Sequence, residues 1–324
     1  MAMLTLRYDL RRPSFVDTPM AALYAACLEQ CAWGDEHGFQ TAVVSEHHGV
    51  DDGYLSSPLA MAAAIAGRTR SMMVNISALL IPLHDPLRLA EDIAVIDLAS
   101  GGRLSIVAGL GYREGEFEMF GLSRKGRGKR LEHHLDVMRK AWTGEPFEYE
   151  GRTVRVTPTP VTQPHPIILV GGSTEVAARR AARLRLPFMP AINDPDLAAL
   201  YEQACAEEGF DGGFVMMPTN HGFVHVTEDP EKAWELIGPH AMHEATTYAS
   251  WQTPGQRSQV TTYATTLDEI KATGIYRVVT PDECVALAQE AGTLVFHPLM
   301  GGMSPDLGWE SLELFASKVL PRIS

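Results

Sequence analysis

The chain is short of basic residues and of cysteine, and it has no long apolar run. Its 324 residues hold 27 Lys plus Arg against 40 Asp plus Glu, a formal net charge of −13. That balance argues against nucleic acid or an anionic membrane surface as a partner, because both are held through an excess of basic side chains. Four cysteines make no disulfide framework in a chain of this length. Cys27 and Cys31 fall four apart on an apolar helical pattern, the spacing of packed thiols. No stretch of about 18 apolar residues escapes a charge or a turn, so no membrane-spanning helix is expected. The opening MAMLTLRYDLRR carries its charges after a short apolar run and does not read as a signal peptide. These features together predict a reduced, cytoplasmic protein.

Nucleotide fingerprints are missing too. The first strand-to-helix turn, YDLRRPSFVDTP, has no glycine-rich phosphate turn, and no P-loop pattern occurs anywhere. No His-x-His follows the first strand and no convergent carboxylate set is evident, so no metal site is expected.

What is present is an ordinary globular balance, 45% hydrophobic and 21% charged, which rules out disorder. Short β-branched runs alternate with amphipathic segments. Leu4–Tyr8, Thr41–Ser45, Met72–Leu80 and Arg103–Leu110 read as strands one to four. Between them helices open at Thr18-Pro19, Ser57-Pro58 and Asp85-Pro86, each a cap followed by proline. An excursion follows: a short acidic helix, a basic loop at Arg124–Arg130, a helix at Gly128–Trp142 and a hairpin at Glu148–Val156. The rhythm resumes at Ile167–Val170 and Pro187–Ala191. Either Phe214–Met217 or His221–Val226 is strand seven, and a helical, polar and less regular tract runs from Asp229-Pro230 to about Thr273, its least regular part around Ala241–Gly274, before the last strand, Thr293–Phe296. A final helix is expected from Asp306 to Leu320. Strands and helices alternating in units of about 30 residues imply crossover connections and a parallel sheet. The expected fold is α/β, a (β/α)8 TIM barrel with insertions after strands four and seven, and one domain over residues 1–324.

In such a barrel the chemistry sits where strands end. After strand two comes Glu46-His47-His48. Adjacent residues on an extended segment point opposite ways, so one imidazole of the pair is expected to face the site. A histidine there serves as acid, base or ligand, or simply caps the loop. After strand five, Gly171-Gly172-Ser173-Thr174 combines two glycines with hydroxyls at a helix start. This suits an anion, and equally an N-cap after a flexible turn. Arg124, Arg127 and Arg130 form either a solvated basic loop or a phosphate clamp.

These landmarks, in this order, resemble the bacterial luciferase-like superfamily of flavin-dependent oxidoreductases. The resemblance is carried by Gly38–His48 (GFQTAVVSEHH), Ala78–Gly111, Glu116–Gly121 (EFEMFG), Arg130–Arg152, Ile168–Leu184 and the closing segment Phe296–Pro321. It implies a barrel that binds reduced FMN at its rim, with the deazaflavin F420 as the alternative. It implies that His47 is the catalytic histidine, and that Ser77 and Ala78 lie on a bulged strand with a non-proline cis peptide beneath the flavin ring. Gly109 at the strand-four end also belongs to the implied cofactor site. Gly171, Gly172, Ser173 and Thr174 are implied to hold the flavin phosphate, helped by Arg127 or else Arg130. One departure is that the family's luciferases carry an arginine at the strand-four end, where this chain has Leu110, with Arg113 nearby.

The implied activity is an FMN- and O2-using monooxygenase working through a C4a-hydroperoxyflavin, with reduced flavin from a separate reductase. F420-dependent hydride transfer on the same fold and a non-catalytic flavin-binding barrel are the alternatives. The pocket walls are expected to be apolar, with His84, Tyr112 and His297 as polar points, which suits a small hydrophobic organic substrate. The tract Ala241–Gly274 is expected to form a lid. A homodimer through the helices after strands two and three, rich in small apolar residues (PLAMAAAIAG), completes what the resemblance implies.

Overall fold

The computed structural model describes residues 2–253, 257–258 and 261–323. The first half of the chain runs β1 (Met3–Tyr8), α1 (Met20–Glu36), β2 (Thr41–Val44), α2 (Pro58–Arg68), β3 (Met73–Leu79), α3 (Pro86–Ser100) and β4 (Leu104–Ala108). Next come α4 (Glu114–Met119), α5 (Arg127–Ala141), the strands β5 (Phe147–Tyr149) and β6 (Arg152–Val154), β7 (Ile167–Gly172), α6 (Glu175–Arg183) and β8 (Phe188–Pro190). The remainder is α7 (Pro195–Glu207), β9 (Phe223–Val226), α8 (Pro230–Ser250), α9 (Leu267–Ala272), β10 (Tyr276–Val279), α10 (Pro281–Ala291), β11 (Thr293–Phe296) and α11 (Pro305–Leu314).

The described chain falls into two compact units. Unit one takes Met1–Val43, Val50–Leu55 and Pro218–Ser324. Its strands lie in the order β10-β9-β11-β1-β2. β1 runs parallel to β11, with Leu6 opposite Phe296, and β10 runs parallel to β9. Its apolar core joins Phe223, Trp234, Ile237, Ala241, Ala245, Ile270, Tyr276, Met300 and Met303; each large side chain so buried contributes about 1.5–3 kcal/mol.

Unit two takes Val44–Gly49 and Ser56–Met217. Its strands lie in the order β3-β4-β7-β8, all parallel. β4 (LSIVA) is buried along its whole length, as expected of a parallel strand covered on both faces. The β3–β4 ladder shifts register between Ser77 and Leu79, a bulge that leaves Ala78 as the extra residue. The hairpin β5–β6 stands apart as a two-stranded antiparallel pair.

Capping sets the helix starts. The Asp85 carboxylate accepts from the Leu87 and Arg88 amides, a cap of about 1 kcal/mol, and Gly101 ends the same helix at φ 68°. Several expectations need correction. Pro19, not Thr18, is the N-cap of α1, and no side chain caps that end. Of the two candidates for strand seven, Phe223–Val226 is a strand, whereas Val215 makes an isolated bridge to Phe188. The tract expected to be helical but less regular holds two helices, as Ala241–Ser250 is the second half of α8 and Leu267–Ala272 is α9, while residues 254–256 and 259–260 lie outside the described residues. The last helix breaks at Leu314 into a wider turn over Phe315–Val319. Among the described residues no helix is long and apolar enough to cross a membrane. Cys27 and Cys31 are buried, free thiols.

Candidate active site

The parallel strands of unit two all present their C-terminal ends on the same side, and the segment Val44–Gly49 belongs to this unit. Ser45 Oγ donates to the Ser77 carbonyl at 2.7 Å, which pins that segment to the bulge of β3. The two residues that follow carry the titratable chemistry.

His47 is buried, and its Nδ1 stands 2.8 Å from Glu116 Oε1. The same oxygen accepts the His48 amide at 3.1 Å and Arg113 Nη1 at 3.1 Å. A carboxylate accepts only, so the proton of this bond sits on His47 Nδ1. The Tyr112 ring meets the imidazole edge-on, at 5.7 Å between centroids. Glu116 lies on the short helix α4, and its other oxygen is buried without a hydrogen bond. Arg113, near the expected arginine position, is thus engaged with Glu116 and with the His48 carbonyl at 2.9 Å.

Glu46 points the other way and acts as a hub. Its Oε1 accepts from His48 Nε2 and His84 Nε2, both at 2.8 Å, and its Oε2 accepts the Leu80 amide at 2.6 Å. Burial by itself would raise the carboxyl pKa. The bonds from His48 and His84, and the Leu80 amide, outweigh burial and hold it at about 2. Of the histidine pair, His47 therefore binds a carboxylate from α4, while His48 and His84 share Glu46.

Backbone geometry shapes the floor. The Ser77–Ala78 peptide is cis. Gly109, one strand over, has no room for a side chain: a Cβ there would lie 2.7 Å from Ala78 Cβ. At the end of β7, a Cβ on Gly171 would sit 2.8 Å from Val107 Cγ1, and one on Gly172 (φ 155°) would run into Ala177. Both glycines are demanded by packing as well as by any ligand. Thr174 is the N-cap of α6 and accepts the Ala177 amide, so its oxygen already has a structural task. Ser173 precedes it in the same turn.

The arginines gather where α5 begins. Arg127 is its first residue, and Arg124 binds Glu114 at 2.7 Å and the Tyr112 carbonyl at 3.1 Å. Arg180 of α6 reaches Glu132 at 2.9 Å, and a Cβ on Gly128 would meet Arg180 Nη2 at 2.7 Å. The start of α5 therefore abuts α6, the helix that follows the Gly171–Thr174 turn. Burial first, then the like charge of Arg124 and, more weakly, Arg180 depress the Arg127 guanidinium, with Glu114 opposing. Its Nε is buried with no hydrogen-bond partner. Arg130, the reserve candidate, is turned to the Ser123 carbonyl.

Glu116, Glu46 and His84 form the polar framework around His47. Only His84 had been singled out as a pocket residue. Glu46 stands in the same triplet as His47, whereas nothing in the EFEMFG segment ties Glu116 to that histidine. His297, another of the expected polar points, lies in unit one among charged neighbours. In Glu116→Ala, the His47 ring is expected to lose its fixed tautomer. Its 15N resonances should move from the Nδ1–H pattern toward an average of both forms; unchanged resonances would show that Glu116 does not orient the ring.

Comparison with known proteins fits this layout. An uncharacterised protein of Sinorhizobium fredii is 29% identical over 168 residues, 50% of this chain and 48% of that protein, so the chain spans about half the length of that relative. Monooxygenase RslO1 of Streptomyces bottropensis superposes with a TM-score of 0.79 at 25% identity, covering 99% of this chain and 100% of that one. The oxygenating constituent of 3,6-diketocamphane monooxygenase of Pseudomonas putida, solved with FMN, gives 0.74 at 20%, covering 100% and 99%. An F420-dependent secondary alcohol dehydrogenase, in complex with an F420–acetone adduct, gives 0.70 at 17%, again covering 100% and 99%. These likenesses show the expected fold, the α/β TIM barrel of luciferase-like enzymes. A family model described as luciferase-like monooxygenase matches residues 14–293, and the chain belongs to that family of flavin-dependent oxidoreductases.

Proposed function

We propose that the protein is a monooxygenase that uses reduced FMN and O2 on a small hydrophobic organic substrate, drawing its reduced flavin from a separate reductase and working as a cytoplasmic homodimer. The observation that carries this reading is the buried His47–Glu116 pair, set in the same unit as the bulged Ser77–Ala78 strand and an arginine whose Nε has no partner. The residues present suit FMN. Arg127, beside Arg124 and Arg180, offers an unused donor to a phosphate, and the start of α6 adds its dipole. Gly109 leaves a surface at the strand end that carries no side chain beside the flat Ser77–Ala78 peptide.

Bound reduced flavin would supply the electrons that activate dioxygen. Glu116 holds the His47 ring by Nδ1, so that Nε2 is the atom that takes up or returns a proton during turnover. Glu46 keeps His48 and His84 turned away on a separate acceptor, which leaves a single imidazole for this task. The apolar strand ends around them, Leu80 and Leu83 packed on Phe117, keep water from that proton.

Separate titrations with FMN and F420 test the cofactor. FMN is expected to bind, and Arg127→Ala is expected to weaken it about tenfold, the size of one lost charge-assisted contact. Tight binding of F420 with none of FMN would instead make the protein an F420-dependent oxidoreductase.

A further inference from the structure

Unit one carries a groove that shares no residue with the candidate active site. It holds about 640 Å³, within the range of pockets that take small organic molecules. The end of β9 forms its floor, and the first turns of α8 and the face of α11 form its walls. The Val226 amide donates to Ser311 Oγ at 2.8 Å, which ties the floor to one wall. All of these elements belong to unit one.

The residue that calls for a ligand is His225, in β9. Only 3% of it is exposed, yet it lines the groove. Its ring lies parallel to that of Phe223, with 2° between the planes and 6.2 Å between centroids. Burial depresses the imidazole to about 4, so the ring is uncharged at neutral pH. Among the described residues no charge and no hydrogen bond acts on it. A neutral imidazole has one N–H to donate and one nitrogen that accepts. Buried polar groups are nearly always paired, so one without a partner beside a groove marks a place for one.

The charges around the groove select the kind of ligand. Glu228, Asp229, Glu310 and Glu313 line it against one basic residue, Lys232. Asp229 is committed to the start of α8, where its carboxylate accepts the Lys232 amide at 3.2 Å. Glu228, Glu310 and Glu313 are exposed and join no ion pair among the described residues. Leu236, Leu307 and Leu314 supply apolar surface beside them. On α11, Leu307, Glu310 and Leu314 follow at spacings of three and four, so acid and apolar groups share one face of the helix. An anion would join a surplus of carboxylates, and a purely apolar molecule would leave the imidazole and the acids unused. A bare metal ion is not served either. Among the described residues, His225 and these carboxylates do not form a group of three with ligand atoms within 4.8 Å of one another.

We propose that this groove binds a primary organic ammonium ion with an aliphatic body. The ammonium group is held by the free carboxylates and donates one N–H to His225, while the body lies along Leu236, Leu307 and Leu314. The site does not depend on the flavin reading. Its test uses the full chain with no flavin added, and the FMN titration reads residues of unit two, so the failure of either reading leaves the other standing.

Calorimetric titration compares hexylamine, hexan-1-ol and hexanoate, which share a chain length and differ in charge. Hexylamine is expected to bind at least about tenfold more tightly than hexan-1-ol, with hexanoate weaker still. Glu310→Gln combined with Glu313→Gln should weaken hexylamine about tenfold by removing two charges. His225→Leu, which keeps an apolar side chain in the floor without an acceptor, should weaken it about fivefold. The two glutamates are exposed, so their double variant carries the test even if His225→Leu fails to fold. No binding of hexylamine, equal binding of hexan-1-ol or hexanoate, or an affinity that the folded variants leave unchanged would overturn the proposal.

Discussion

In His47→Ala, oxidation of protein-bound reduced FMN by dioxygen is expected to slow by about 10²–10⁴-fold, the usual loss when a positioned acid or base is removed. The expectation rests on the geometry of one side chain. His47 is held at Nδ1 by Glu116 at 2.8 Å, and that oxygen also accepts from a backbone amide and Arg113. A ring fixed at one nitrogen has only the other to offer for proton transfer. Neither His48 nor His84 can take over, since both give their Nε2 to Glu46. The melting temperature should fall only modestly and FMN affinity should stay near the wild-type value, because the phosphate contacts proposed above involve Arg127 and the turn before α6 and not His47. Stopped-flow absorbance of the bound flavin measures the rate, and equilibrium titration measures the affinity. A wild-type rate in the variant would reduce His47 to a packing residue.

Glu46→Gln should lower folding stability at neutral pH by about 3 kcal/mol, and the deficit should shrink in acid. A carboxyl held at about 2 in the fold, against 4.5 in the open chain, contributes roughly that amount. The sign follows from the direction of the shift. The folded pKa is depressed, so the contribution is fully present above 4.5 and is lost as pH falls through about 2. Glutamine keeps the size but turns its N–H₂ toward donors whichever way it sits, either the two imidazole N–H groups or the Leu80 amide. Urea unfolding at pH 7, 4.5 and 3 gives the comparison. A difference between wild type and variant that is constant over this range would mean that the Glu46 charge does not support the fold.

The strands were legible because buried parallel strands are nearly continuous apolar runs, and β4 is the clearest case. The helix starts marked by Asp85-Pro86 and Ser57-Pro58 were legible for the same local reason. The partner of His47 was not, because Glu116 lies 69 residues away in a segment whose acidic face resembles ordinary surface. Sequence spacing has no access to a contact made by two loops of one unit. Arg113 misled for a related reason: its position near the end of β4 suggested phosphate, whereas a carboxylate three residues on holds it. The second half of α8 is legible only as helical and less regular, because its threonines lower helical propensity. The buried stripe Ala241, Ala245 and Tyr248, at spacings of four and three, was the signal that outweighed them.

The contact between the cis-linked Ala78 and Gly109 also bears on descent. With 2.7 Å between Ala78 Cβ and where a Gly109 Cβ would be, the two positions share one small volume across adjacent strands. Position 109 is already at its smallest, so a side chain there would need glycine at position 78. Positions 78 and 109 are therefore expected to vary together, and a side chain placed at position 109 alone is expected to destabilise the fold.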